Sequence, residues 1–255
     1  MRRGDHSIIR GLSRSSPKRV MLAVTNESLN EEKEKNMKQS TGLMAFWANI
    51  DPENWLEYQQ WHNCQHIPER VAIEGFHIGR RYRSAADPSR FMMFYETQSP
   101  ESLQGAGYLH ALSNPTAWTK KSLSWFRNGA RSVYRRRTVT NEAYQHEAPL
   151  LLVIRYDADQ EWAACTNATV RRVQQYVMDD SGSNVKTTEQ SIHGAVPTAR
   201  RCLALAESDD SSILEAARAG AIDLLALAQA IGLSGGQSAD LELYWLEIAI
   251  KSPNS

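Results

Sequence analysis

Cysteine is scarce. Cys64, Cys165 and Cys202 are the three in 255 residues, too few and too scattered for a disulfide framework, which points to a reducing, cytoplasmic setting. Long apolar runs are missing as well. None approaches the roughly 20 residues that cross a bilayer, so no membrane segment is expected. Neither sign of charge is in excess: 29 basic and 29 acidic side chains cancel to +0, leaving no global field to recruit nucleic acid or an acidic surface. The one short basic run, Arg135 to Arg137, is too small for a nucleic-acid footprint. A phosphate-binding glycine loop, a paired-cysteine zinc motif and a nucleophile elbow are all wanting. Nucleotide-dependent, zinc-finger and serine-hydrolase chemistries therefore have no support in the sequence.

What is present divides along the chain. Residues 1–40 carry many Arg and Ser residues and the bare charge run Glu31 to Lys35. That composition buries too little apolar surface to offset chain entropy, so a disordered or loosely ordered extension is expected. An Arg- and Ser-rich start also has the character of a transit peptide until the acids from Glu27 to Glu34 break it. Met37, just before the apolar region, is an alternative start.

From residue 41 the pattern becomes regular. Gly42 to Ala48 has strand length and apolarity. Asp51 reads as an N-cap with Pro52 at the first helical position, and Trp55, Tyr58, Trp61 and Cys64 recur at helical spacing. Pro68 disfavours α geometry at Ile67, so the helix should end or kink there. Strands are expected over Phe76–Arg83 and Arg90–Glu96, helical turns over 100–112 and 117–125, and a strand over 130–139. After a linker at 141–148 the order starts again: a strand at 150–155, a helix over 160–176, strands at 185–193 and 201–206, a single helix over 211–230, and an alternating strand over 241–250. Two successive β-α-β-β-α-β orders make this an α+β chain of two tandem ferredoxin-like units, 41–140 and 149–251. Their sheets can pair face to face and close a barrel, covering the apolar face that each leaves open.

Specific residues carry a family resemblance. Asp51-Pro52-Glu53, Trp61, His66-Ile67-Pro68-Glu69-Arg70, Gly75-Phe76, Arg80-Arg81-Tyr82, Asn114 to Trp118 and Phe126-Arg127-Asn128 together resemble the EthD-like branch of the dimeric α/β-barrel proteins. The resemblance spans about residues 42–138. It implies a pocket between the sheet and its two helices for a small aromatic or acidic compound, with His66 on the family's histidine. The sequence departs from that pattern at His62 and Cys64, and residues 148–250 have no counterpart of the histidine motif. The resemblance thus implies one functional pocket in an internal pseudo-dimer, as a monomer or a homodimer.

His66 suits proton transfer near neutral pH, with Arg81 or Tyr82 to hold or polarise a substrate oxygen. Trp61, His62, Tyr95 and Trp118 are the candidate substrate-binding residues. His62 and His66 also stand at metal-pair spacing, and Glu69 or His77 could complete a site, but three convincing ligands are not in place. The expectation is a cofactor-independent isomerase, cyclase or lyase acting on an aromatic or carboxylated metabolite, with no cofactor. The alternatives are a non-catalytic small-molecule binding protein and a haem- or metal-dependent oxygenase.

Overall fold

The computed structural model describes residues 40–144, 147–157, 162–234 and 238–254, so the extension expected over 1–40 lies almost wholly outside the described residues. Strand β1 (Gly42–Ile50) leads through a 3-10 turn at Pro52–Asn54 into α1 (Trp55–Trp61), a π-helical turn at His62–His66 and α2 (Ile67–Val71). Strands β2 (Phe76–Ser84) and β3 (Arg90–Thr97) follow, then α3 (Ala106–Ser113), α4 (Ala117–Leu123) and the long β4 (Phe126–Thr140). The second half runs β5 (Leu150–Tyr156), β6 (Val170–Asp179), α5 (Asp180–Ser183), α6 (Thr188–His193), β7 (Cys202–Ser208), α7 (Ser211–Arg218), α8 (Leu224–Gln229) and β8 (Ala239–Lys251).

The eight strands close a barrel in the order β1-β3-β2-β8-β5-β7-β6-β4. Each half contributes the same four-strand pattern, β4-β1-β3-β2 and β8-β5-β7-β6, and antiparallel seams join β2 to β8 and β4 to β6. This is the dimeric α/β-barrel fold within one chain. β1 shows why its sequence is apolar throughout. Leu43, Ala45 and Trp47 point into the barrel, while Met44, Phe46, Ala48 and Ile50 face the helices, so both faces are buried. Among the described residues no helix is long and apolar enough to cross a membrane.

Four local expectations are corrected. The helix expected over 160–176 is not there: residues 162–169 are irregular and Val170–Asp179 is β6. Its period of two was masked because the inward face carries a polar residue, Gln174, bonded to Glu207, and pairing to both β4 and β7 overrides local preference. The strand expected over 185–193 contains α6, capped by Thr187, whose hydroxyl accepts from the Gln190 N–H. The single helix over 211–230 is two, parted at Gly220, whose φ of 65° is left-handed. Asp51 makes no side-chain cap bond; its carboxylate lies 3.6 Å from Arg127.

The halves also differ in the next connection. β2 and β3 are joined by a tight turn at residues 85–89, whereas β6 and β7 are joined by an excursion containing α5 and α6. β4 pairs with β6 only from Val133 onward, so the first part of β4 has an edge to satisfy. The excursion satisfies it: Arg131 N–H donates to the Val196 carbonyl at 2.9 Å. A segment of the second half is thereby seated over the helix-covered face of the first.

Candidate active site

Pro68 explains the local geometry. It has no N–H to continue an α-helical ladder, and the chain accommodates it through the π turn at His62–His66, where the Ile67 N–H reaches back to the His62 carbonyl. Such turns insert an extra residue without ending the helix. The expected kink is thus a π turn, and it buries both histidines against the sheet with their rings stacked at 5.5 Å.

The two rings have different fates. Arg81 Nη1 lies 3.0 Å from His62 Nδ1; a guanidinium only donates, so this nitrogen accepts and the proton resides on Nε2. Nε2 then donates to Met93 Sδ at 2.9 Å. Both nitrogens of His62 are engaged. Arg81 is tied to Glu247 at 2.7 Å and to Asn63 at 2.8 Å, and its guanidinium lies over the Tyr58 ring. Arg81 and His62 form a knot that fastens the π turn to β2 and β8.

His66, in contrast, is buried with an Nδ1 that has no hydrogen-bond partner. Trp61 packs on it at 4.4 Å between ring centres and is anchored through Nε1 to Thr119 Oγ1 at 3.2 Å. Burial, then the Arg70 charge, holds the imidazole well below the ordinary histidine range, so it is neutral at pH 7. Tyr95 faces the same space with a buried hydroxyl that also lacks a partner, and burial raises its pKa.

Tyr82 is elsewhere. Strand alternation turns it into the barrel, stacked on Phe94 at 5.6 Å, on the opposite face of the sheet from His66. Trp118 is half-buried and packs against the helix-side core. The structure therefore brings together His66, Tyr95 and Trp61, places His62 and Arg81 in a neighbouring bonded cluster, and separates Tyr82 from them.

Around His66 lies a chamber of about 30 Å³, whose walls include Arg70, Met93, Tyr108, Arg131, Glu189 and His193. Beside it a cleft of about 210 Å³ is lined by Glu69, Ile73, Asn114, Thr116 and again Arg70 and Glu189. Arg70 and Glu189, each nearly fully buried, pair at 2.5 Å and form the partition between the two spaces. Arg131 is also buried, bonded to the Gly182 carbonyl at 3.1 Å and within 3.5 Å of the Tyr108 hydroxyl. Burial and Arg131 lower His193 to about 4. The walls thus hold two guanidiniums, one carboxylate and neutral imidazoles, an arrangement with surplus positive charge.

Five of these wall residues were not anticipated from the sequence. Arg70 had a signal, since it stands four residues after His66 within the histidine motif and shares its helix face. Arg131, Tyr108, Glu189 and His193 had none, because the fold alone brings them to the chamber.

A metal at His62, His66 and Glu69 does not fit these residues. His62 has no free nitrogen, and Glu69 is exposed and bonded to Gln65 at 2.7 Å. Among the described residues no group of three or more His, Cys, Asp or Glu side chains converges as a metal site.

No protein-family model matches the chain, and no curated protein matches it. Solved structures do resemble it. An anthrone oxidase-like protein aligns with TM-score 0.49 and 10% identity over 85% of this chain and 95% of its own. A monooxygenase-like protein from Lactobacillus acidophilus NCFM aligns with TM-score 0.47 and 5% identity over 83% and 97%. A chlorite dismutase from Candidatus Nitrospira defluvii, in complex with imidazole, aligns with TM-score 0.40 and 13% identity over 84% and 94%. These are likenesses of overall architecture, and at such identities they assign neither ligand nor reaction.

Proposed function

We propose that this chain is an enzyme of the EthD-like branch that removes a proton from a small, acidic aromatic compound, with His66 as the base. One observation carries the reading: a buried imidazole, kept neutral and with an unpartnered nitrogen, faces a space with surplus guanidinium charge. A neutral imidazole can accept a proton, and the carbanion or phenolate so formed is stabilised by positive charge already in place. Arg70 and Arg131 supply that charge. Tyr95, protonated at any ordinary pH, can donate a hydrogen bond to a developing oxyanion. Arg81 acts indirectly, by fixing the π turn that carries His66.

Deuterium exchange tests the proton step whatever the later fate of the anion. Small aromatic carbon acids and phenol-ketones would be incubated in D₂O with the protein and followed by proton NMR, with oxygen uptake recorded in parallel. The wild type should catalyse exchange at a carbon next to a carbonyl, and His66→Gln should lose at least about a hundredfold of that rate, the low end of a general-base contribution. Equal exchange by wild type and His66→Gln would remove His66 from the mechanism. Oxygen uptake that depends on His66 would assign the anion's fate to oxygenation, and its absence to isomerisation or elimination.

A further inference from the structure

The partition between chamber and cleft is an ion pair between two distant parts of the chain. Arg70 belongs to the helix that carries His66, while Glu189 arrives on α6, within a connection that the first half replaces by a tight turn. Charge pairs as buried as this one carry a large desolvation cost. Burial raises the Glu189 pKa although a guanidinium faces it. Its place is also that of a ligand group. The carboxylate sits on a guanidinium at the floor of a cleft whose sides include the apolar Ile73, Ala111 and Pro115, with Thr116 and Asn114 beside them. The cleft's about 210 Å³ exceeds the roughly 150 Å³ that accommodates a benzene ring, whereas the chamber's about 30 Å³ holds only about two waters.

We infer that Glu189 is a built-in stand-in for a ligand carboxylate: a benzoate-class aromatic carboxylate enters the outer cleft, takes Arg70 from Glu189, and so joins the cleft to the His66 chamber. The inference rests on the reading of this site as a small-molecule site, and it names the ligand class and how the ligand gains access. A carboxylate can exchange at Arg70 because it replaces the bidentate-capable acceptor that leaves. A neutral aromatic of the same size cannot, because it would leave the guanidinium buried without an anion.

Titration of the full-length protein with benzoate and with benzamide, read by isothermal calorimetry, tests this. In Glu189→Gln the internal competitor is gone, so benzoate should bind at least about tenfold tighter than to wild type while benzamide changes by less than about twofold. Glu189→Asp, which keeps the charge but shortens the reach, should show a smaller gain of the same sign. In the double variant Arg70→Gln, Glu189→Gln the preference for benzoate over benzamide should vanish. Should Glu189→Gln fold poorly, benzoate should raise its melting temperature more than it raises that of the wild type, and benzamide should not. Unchanged benzoate affinity and melting temperature in both Glu189 variants, or an equal gain for benzamide, would overturn the exchange. These readouts need no turnover, so a failed exchange and a failed proton-transfer role for His66 are separately visible.

Discussion

His66 and His62 lie four residues apart on one helical face, yet only one is available for chemistry, and the difference is a matter of neighbours. His62 has a donor on one nitrogen and a sulfur acceptor on the other; His66 has an aromatic ring against it and an empty Nδ1. Holding an imidazole neutral in this way has a measurable consequence. The unfolded chain binds a proton near pH 6.5 that the folded chain refuses. His66 therefore costs no stability above about pH 6.5, and stability is lost as the pH falls below it, by up to about 1.4 kcal/mol per pH unit for this one group. Urea denaturation of wild type and His66→Gln between pH 7 and 5 should show the wild type losing stability more steeply on acidification. His62 and His193 depress stability in the same direction in both proteins, and so cancel in the comparison. Parallel curves would mean that the His66 imidazole is not held neutral by the fold.

At the scale of elements, the site depends on how closely the π turn and α2 approach β2. That approach is made at Gly79, where a Cβ would stand 2.6 Å from Tyr95 Cε1 and 2.8 Å from Ile67 Cγ2. Both neighbours are fully buried, so neither can swing away. Gly79→Ala should therefore destabilise by about 1–3 kcal/mol, the usual cost of overpacking, and should impair the proton step as well because Tyr95 and the His66 helix are the groups displaced. A denaturation midpoint equal to that of wild type would show that the helix rides further from the sheet. The sequence disclosed the β-α-β-β-α-β order of the first half because its periods are clean. It did not disclose the π turn, since Pro68 signals an interruption without saying which kind. Nor did it disclose β6, where the barrel-facing position 174 is a glutamine that hydrogen-bonds to Glu207 and Tyr176. The chamber was half legible: His66 and Tyr95 stand in motif and strand, but Glu189 and Arg131 become neighbours only when a connection from the second half is laid along the edge of β4.

For the molecule as a whole, closure of the barrel joins the two halves into a single folding unit. Its interior cluster draws seven buried side chains from each half, Leu43, Trp47, Tyr82 and Phe94 among the first set and Leu151, Val153, Tyr176 and Tyr244 among the second. Buried charge crosses the halves too, since Glu247 on β8 takes both Arg81 at 2.7 Å and Arg83 at 2.6 Å from β2. At about 1.5–3 kcal/mol for each large apolar side chain fully buried, uncovering seven would cost on the order of 10–20 kcal/mol, comparable to or greater than the whole stability of a typical domain. Severing the chain between Tyr144 and Glu147 should accordingly give two fragments, neither of which is a folded monomer: each either pairs with a copy of itself through its uncovered sheet face or precipitates. Produced together they should recover a one-to-one complex with the circular dichroism of the intact chain, as light scattering after size exclusion would show. Only that complex should perform deuterium exchange with the intact chain's efficiency, because Glu189 and His193 reach the His66 chamber from the second fragment. A first-half fragment that is monomeric, folded and fully active would show that neither barrel closure nor the excursion is needed to build the site.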